Sequence, residues 1–316
     1  QGTFINNIMK FVGPDCRIHG HINQLRSDDG GTVSGRLSMS NPNLQQIPAR
    51  DPELGPMIRS LFLPEEGELW AAIDYSQQEP RILTHYASVF GRWKGLPLGG
   101  AKEFVDGYTN NPNMDFHTMV ADMANISRKQ AKTINLGMMY GMGVRKLADQ
   151  LDLEFEDAKE LTQQYHSRVP FVKELMNGVS RSVDQKDDGS LRSLKGRKCR
   201  FDMFEPMGYD IQKAMPLKEA KATYGETAPL KRAYTYKALN RLIQASAADM
   251  TKQAMVDLYE AGERPLLQVH DELGCSVTSA DHAKRIKQVM EDAIRLHVPN
   301  KCDIDLGPSW GETKEI

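Results

Sequence analysis

Two short apolar runs, far apart in the chain and each carrying an aspartate at its end, constrain the fold more than any other feature. "ELWAAID" (68–74) reads as a buried strand that stops at Asp74. "PLLQVHDELGCSV" (265–277) alternates like two short strands that meet at a tight turn near His270-Asp271. From Arg81 the pattern between them turns helical, through "DFHTMVADMA", "RKQAKTINLGMMYG", "VRKLADQL" and "EDAKELTQQYHSRVP". "YKALNRLIQASAADMTKQAMVDLYEAG" is a long helix with its stop at Gly262, and "DHAKRIKQVMEDAIRL" is a last one. Strands that flank a helical middle define an α+β class. A carboxylate at a strand end or hairpin turn is held rigidly at the rim of a sheet. If the fold brings Asp74 and Asp271 together, the pair suits hard divalent cations, which favour oxygen ligands. Taken singly, each aspartate only caps a turn.

The segments outside these elements carry strong punctuation. "RSDDGGTVSGR" (26–36) is a turn-rich loop, and in the following "LSMSNPNLQQIPARDPELGP" the residues Pro42, Pro48, Pro52 and Pro56 forbid a regular helix and demand an extended path. "GRWKGLPLGG" and "GYTNNPNMD" interrupt the helical middle as loops. "SLKGRKCRFD" reads as a hairpin around Lys195-Gly196.

The helix "RKQAKTINLGMMYGMG" (128–143) places two cations and an aromatic ring in single file. Steps of four residues advance about 400°, so Arg128, Lys132, Leu136 and Tyr140 share one stripe, about 6 Å apart along the axis. That layout matches a nucleoside triphosphate, with phosphates on Arg128 and Lys132, sugar against Leu136 and base near Tyr140. Gly137 and Gly141 leave room for a base to approach the backbone. An ordinary amphipathic helix with solvated cations and a buried Leu and Tyr produces the same pattern.

Composition narrows the function classes. Hydrophobic residues make up 40% of 316, enough for a core, and the formal charge of −2 argues against a histone-like blanket binder while leaving room for local basic patches. Cys16, Cys199, Cys275 and Cys302 are widely spaced without a CxxC, which argues against a disulfide framework or a zinc site and for a reducing cytosol. No apolar run approaches the roughly 18 residues of a membrane span, and no signal peptide is visible. The chain opens on Gln1, as a processed or truncated piece does.

With these residues in view, the sequence resembles the polymerase portion of family A DNA polymerases, the bacterial DNA polymerase I type, with a phage-like character. "SGRLSMSNPNLQQIP" (34–48) looks like the primer-template strip, "DYSQQEPR" (74–81) like motif A, "RKQAKTINLGMMYG" (128–141) like motif B and "QVHDE" (268–272) like motif C. "LNRLIQASAADM" (239–250) is similar to the palm helix between motifs B and C. The resemblance implies a right-hand fold: an antiparallel-sheet palm in 1–82 and 233–316, and helical fingers in 83–232. Some 33 residues precede the strip, too few for a thumb, so the thumb is expected on an N-terminal thumb or exonuclease portion or on a separate subunit.

The resemblance also implies roles. Asp74 and Asp271, with the Tyr75 carbonyl, correspond to the ligands of two magnesium ions, for which manganese substitutes. Glu272 corresponds to a nearby catalytic carboxylate that is not strictly a ligand. Lys132, Arg128 and His117 correspond to the triphosphate clamp, Lys132 also acting in catalysis. Glu79 corresponds to the residue that excludes a ribose 2′-OH, Leu136 to the sugar contact and Tyr140 to the ring at the templating position. Gln77 and Arg81 correspond to active-site support residues, Gln77 on the dNTP side and Arg81 on the DNA side. Arg36, His270, Asn240 and Gln244 correspond to contacts near the primer end and minor groove, where acceptors recur in every base pair. Three departures stand out: Leu136 where Phe or Tyr is usual, Gln78 and Pro80 in "QQEPR", and Tyr236 where many relatives carry a basic residue. The expected function is DNA-directed DNA polymerisation on primer-template DNA with dNTPs, in phage-type replication within the bacterial cytoplasm. A single-subunit RNA polymerase is disfavoured by Glu79 and "QVHDE". A non-catalytic primer-template-binding subunit of a split polymerase is disfavoured by the intact aspartates.

Overall fold

The computed structural model describes residues 6–25, 30–48, 51–93, 98–208 and 213–316. Residues 26–29 of the expected turn-rich loop and 94–97 of the next lie outside them. In chain order the elements begin with α1 (Asn7–Met9), β1 (His21–Asn23), β2 (Ser38–Ser40), α2 (Leu54–Arg59) and β3 (Leu69–Tyr75). A helical series follows: α3 (Gln78–Trp93), α4 (Ala101–Asn110), α5 (Phe116–Ala124), α6 (Arg128–Met139), α7 (Val144–Leu151), α8 (Phe155–Arg168) and α9 (Pro170–Asp184). Next come β4 (Ser190–Arg192), β5 (Lys198–Arg200), β6 (Met203–Pro206), β7 (Met215–Pro216), α10 (Leu217–Tyr224) and β8 (Leu230–Arg232). The chain closes with α11 (Ala238–Glu260), β9 (Leu267–Val269), β10 (Glu272–Val277), α12 (Ala280–Asp292), β11 (Cys302–Gly307) and β12 (Lys314–Glu315).

Two compact units result, Gln1–Arg81 with Ala247–Ile316, and Ile82–Ser246. Their borders fall inside α3 and α11, whereas the sequence-based division falls at 82/83 and 232/233. The first unit is organised by a five-stranded antiparallel sheet in the order β12-β11-β3-β10-β9. β3 sits at its centre and is buried along most of its length, as expected for an apolar strand covered on both faces. On one face, Trp70 and Ala72 join Met39, Leu44, Ile47, Ile58, Leu267 and Trp310 in a core. On the other, Ile73, Leu273 and Ile304 are buried, and α12 packs on β3, β10 and β11 through Ala283, Ile286 and Met290. The Tyr75 hydroxyl donates to the Met290 carbonyl at 2.5 Å and ties the strand end to that helix. Tyr75, Cys302 and Cys275 are buried with it; all four cysteines are free thiols.

The second unit is mainly helical. α5 begins where the Asp115 side chain accepts from the Thr118 N–H, and ends at Asn125 in a left-handed conformation, φ 54°. α6 begins at a capping box, with Ser127 and Gln130 satisfying each other's backbone donors. Phe104, Phe116 and Phe171 pack ring to ring between α4, α5 and α9, with centroids 4.8 and 5.1 Å apart. β4 and β5 form the expected hairpin.

Three local expectations change. A short helix, α2, does form in the proline-rich stretch. Pro56 is its third residue, inside the first turn, where a missing N–H breaks no helical bond. α3 and α4 run on into the stretches read as loops. At Gly107 in α4 a side chain would meet the Met114 sulfur at 2.4 Å, so the glycine serves packing and the helix passes through it. A three-stranded sheet in the order β7-β6-β8 has no counterpart in the sequence reading. Among the described residues no helix is long and apolar enough to cross a membrane.

Arg81 shows how the junction after β3 is held. It is buried, and its guanidinium donates to the carbonyls of Ser76 at 2.8 Å and Pro299 at 2.6 Å. Arg81→Ala is expected to cost about 2–4 kcal/mol, because it leaves buried acceptors without donors. Denaturant unfolding measures this; a loss below about 0.5 kcal/mol, the scale of a surface change, contradicts the bracing role.

Candidate active site carboxylates and cationic helix

In the first unit the sheet register gathers acidic groups at one end of β3. Asp74 stands opposite Glu272 of β10 on one side and opposite Asp303 of β11 on the other. Directly opposed residues of an antiparallel pair project to the same face. Asp271 lies beside them, since the Tyr75 N–H meets the Asp271 carbonyl at 3.4 Å. Asp74 is exposed at the strand end, yet its carboxyl is pushed up to about 8. Protein packed around it removes water from the anion, and the charges of Asp271, Glu272 and Asp303 add repulsion. Asp271 is raised by the same dehydration, offset in part by Arg36 and His270. Glu272 is raised by burial, against the pull of Arg59 and of the Trp310 indole N–H, which donates to its Oε1 at 2.9 Å. Asp303 has a cation at hand, Lys301, at 2.6 Å.

The turn that presents Asp271 is strained and braced. His270 is exposed with φ 60°, a left-handed conformation that costs a non-glycine residue roughly 1–2 kcal/mol. Gln268 holds it by donating from Nε2 to the His270 carbonyl at 2.6 Å, and Gln45 donates to Gln268 Oε1 at 2.9 Å. Sequence reasoning missed both glutamines as supports. They lie within the quoted strip and "QVHDE", but their pairing spans most of the chain. Trp310 and Asp303 were missed too, since neither lies in a motif.

The other first-unit candidates cluster at the start of α3. Gln77 carries φ 53° and makes the turn out of β3. Gln78 is buried and donates to the Ala247 carbonyl and Thr251 Oγ1, both at 3.4 Å, which gives this unusual residue a packing role. Arg36 Nη2 donates to Glu79 Oε1 at 2.7 Å, both side chains being largely shielded. Two residues assigned to different partners therefore form one ion pair. Arg81, expected on the DNA side, is instead buried with its donors on carbonyls.

In the second unit α6 shows two faces. Ala131, Ile134, Asn135, Met138 and Met139 point inward. Arg128 and Lys132 are exposed, Leu136 is half-buried, and Tyr140 is exposed just past the last helical turn at φ −92°. The outward file thus exists as spaced in the sequence. Arg128 pairs with Asp115 at 2.6 Å, the residue that caps α5. His117 is buried, with Nδ1 3.0 Å from the Asn135 amide nitrogen. Burial pushes its imidazole down, with Lys132 and Arg128 adding to this against Asp115. The space expected beside the glycines is filled. A Cβ at Gly137 would lie 3.2 Å from the Met142 sulfur, and one at Gly141, where φ is 69°, would lie 3.1 Å from the Tyr236 ring. Asn240 and Gln244 sit half-buried, one turn apart on α11.

Among the described residues no group of three or more His, Cys, Asp or Glu is arranged to hold a metal ion. Two carboxylates and a carbonyl fall below that number and still fit magnesium, which keeps several waters and takes one or two carboxylates together with phosphate oxygens.

Known proteins are similar to this chain in fold and sequence. The fold is that of a polymerase domain: it matches the POL domain of Pol1 from M. smegmatis, in complex with DNA primer-template and dNTP, with a TM-score of 0.74 and 30% identity over 97% of this chain and 50% of that one. The sequence model of DNA polymerase family A matches residues 1–312, and the chain belongs to that family. A DNA-directed DNA polymerase of Pseudomonas phage M6 is 38% identical over 94% of this chain and 47% of its own length. The thermostable DNA polymerase I of Thermus thermophilus is 32% identical over 100% of this chain and 35% of its own. The chain spans about half the length of the phage relatives it matches.

The raised Asp74 carboxyl has a consequence for stability. Its folded value lies above its unfolded one, so the contribution to stability is fully present below about 4 and is lost as pH rises toward about 8. In EDTA the melting temperature should therefore fall across this window, and Asp74→Asn should flatten the slope. A wild-type slope equal to that of Asp74→Asn contradicts the crowding.

Proposed function

We propose that this chain is the palm and fingers portion of a template-directed DNA polymerase that adds deoxynucleotides to a primer 3′-OH in phage-type replication. The palm is the first unit, read from the sequence as 1–82 and 233–316, and the fingers the helical 83–232. One observation carries the reading: in a family A chain, the sheet register and the β9–β10 turn bring Asp74 and Asp271 together at the end of a buried strand, where burial and the charge of Asp271 raise the Asp74 carboxyl. Such a pair calls for a dication. Asp74, Asp271 and the Tyr75 carbonyl would hold two magnesium ions, with manganese as a substitute. Magnesium supplies Lewis-acid activation of the hydroxyl and neutralises triphosphate charge when bound.

The chain's own residues do the rest. Lys132 and Arg128 bind the triphosphate, Arg128 exchanging Asp115 for phosphate, and Lys132 acts in catalysis by countering charge that builds on the leaving group. His117 donates a hydrogen bond. Glu79 closes the space at the sugar 2′ position, Leu136 contacts the sugar and Tyr140 stacks at the templating position. Gln77 shapes the turn below the nucleotide. Arg36, His270, Asn240 and Gln244 contact primer-template DNA. Arg81 is left out of these contacts because of its burial. Glu272 stands next to the ligands without joining them. The phage relative at 38% identity supports the replication setting.

Primer extension with Mg²⁺ tests the reading. Asp74→Asn and Asp271→Asn should each lower the rate by at least about 10³-fold, roughly 4 kcal/mol of barrier, with DNA binding retained. Near-normal extension by either variant defeats the assignment, and a wild-type chain that binds primer-template without extending it identifies a non-catalytic subunit.

The Arg36–Glu79 ion pair adds a second expectation. Arg36→Ala removes the ion pair that helps orient Glu79, so the kcat/KM ratio for dCTP over CTP should fall by about ten-fold, or 1.4 kcal/mol, in the same direction as Glu79→Ala. An unchanged ratio in Arg36→Ala shows that Glu79 keeps its place unaided.

A further inference from the structure

Glu272 follows Asp271 and lies directly across from Asp74 in the sheet. Opposed residues bring their Cβ atoms to about 5 Å, and a glutamate side chain is long enough to reach an ion held by its neighbours. Left free, Glu272 would supply a third carboxylate. That would tighten the grip on a bare cation and fill a coordination position that substrate phosphate needs.

What restrains it is an indole at the far end of the chain. Trp310 donates from Nε1 to Glu272 Oε1 at 2.9 Å. The indole cannot easily turn. It is 3% exposed, stacks on Trp70 at 6.0 Å and 25°, and takes Phe62 edge-on at 5.7 Å and 86°. Its backbone N–H donates to the Phe62 carbonyl at 3.0 Å. The Arg59 guanidinium lies over its face at 4.3 Å. The next residue, Gly311, sits so close to α2 that a Cβ would fall 2.2 Å from the Pro56 carbonyl oxygen. The turn bearing Trp310 is thus seated directly on backbone.

We infer that Trp310 is a positioning residue that holds the Glu272 carboxylate out of the metal set, so that Asp74 and Asp271 alone provide the carboxylate ligands. This rests on the proposed reading of those two aspartates. Trp310 acts through Glu272, to which its indole N–H donates.

The test titrates Mn²⁺ into the full chain, without DNA or nucleotide, and follows free Mn²⁺ by electron paramagnetic resonance. Trp310→Phe keeps the ring and removes the N–H. It should bind Mn²⁺ about ten-fold tighter than wild type, the scale on which partners of metal ligands act. Adding Glu272→Gln to Trp310→Phe should return the affinity to the wild-type level. Arg59→Met, which removes the cation from the indole face, should shift affinity in the same direction by a smaller factor, and it decides the matter if Trp310→Phe does not fold. In Mg²⁺-supported extension, Trp310→Phe should raise the KM for dNTP, because a coordination position is lost to Glu272. Affinity unchanged in the variant that folds, or a tightening that survives Glu272→Gln, overturns the inference. A wild-type chain with no Mn²⁺ site sensitive to Asp74→Asn instead overturns the ligand reading on which it rests.

Discussion

Repulsion between carboxylates at the end of β3 sets the terms for the rest of the first unit. Asp74 faces Glu272 and Asp303 across both neighbouring strands, with Asp271 on the adjoining turn. Like charges so placed in a sheet destabilise it. The cluster persists because each member stands on a rigid support. The central strand is buried on two faces, by the Trp70–Trp310 core and by α12. The strained His270 is pinned through Gln268 and Gln45. Strain and repulsion are kept where a bound dication would relieve them, a common arrangement at functional sites.

The second unit carries positive charge on one helix. The inward face of α6 is packed against the helical unit, and the capping box sets where the helix starts, so Arg128 and Lys132 occupy defined places on its outer face. Arg128 is already pre-ordered by Asp115, and the same aspartate starts α5, which carries the buried His117. One side chain thus couples the position of a cation to that of an imidazole. The spaces beside Gly137 and Gly141 are filled by Met142 and Tyr236, so this end of the helix is closely packed.

Much of this was legible in the sequence where periodicity and local chemistry agree. β3, the β9–β10 turn and α6 are short-range patterns, and the single file of Arg128, Lys132, Leu136 and Tyr140 follows from spacing alone. What escaped depends on long-range neighbours. Arg81 reads as a DNA-facing cation until its carbonyl acceptors at Ser76 and Pro299 are seen. Arg36 and Glu79 read as separate functions until they meet as a pair. Pro56 reads as a breaker until its place in a first helical turn is known. The β6–β8 sheet consists of very short strands, and β7 is separated from β6 by residues outside the described ones, so no alternation was long enough to register.

The proposed dication at Asp74 and Asp271 has a direct signature in the titration of their carboxyls. Carboxyl ¹³C titration by NMR, on protein labelled at aspartate, tests it most directly. Without metal, a carboxyl absent in Asp74→Asn should titrate near pH 8, far above an ordinary aspartate. With Mg²⁺ added it should titrate several units lower, since the bound dication favours the ionised form. An Asp74 carboxyl that titrates near pH 4 without metal, or one that ignores Mg²⁺, would contradict the account.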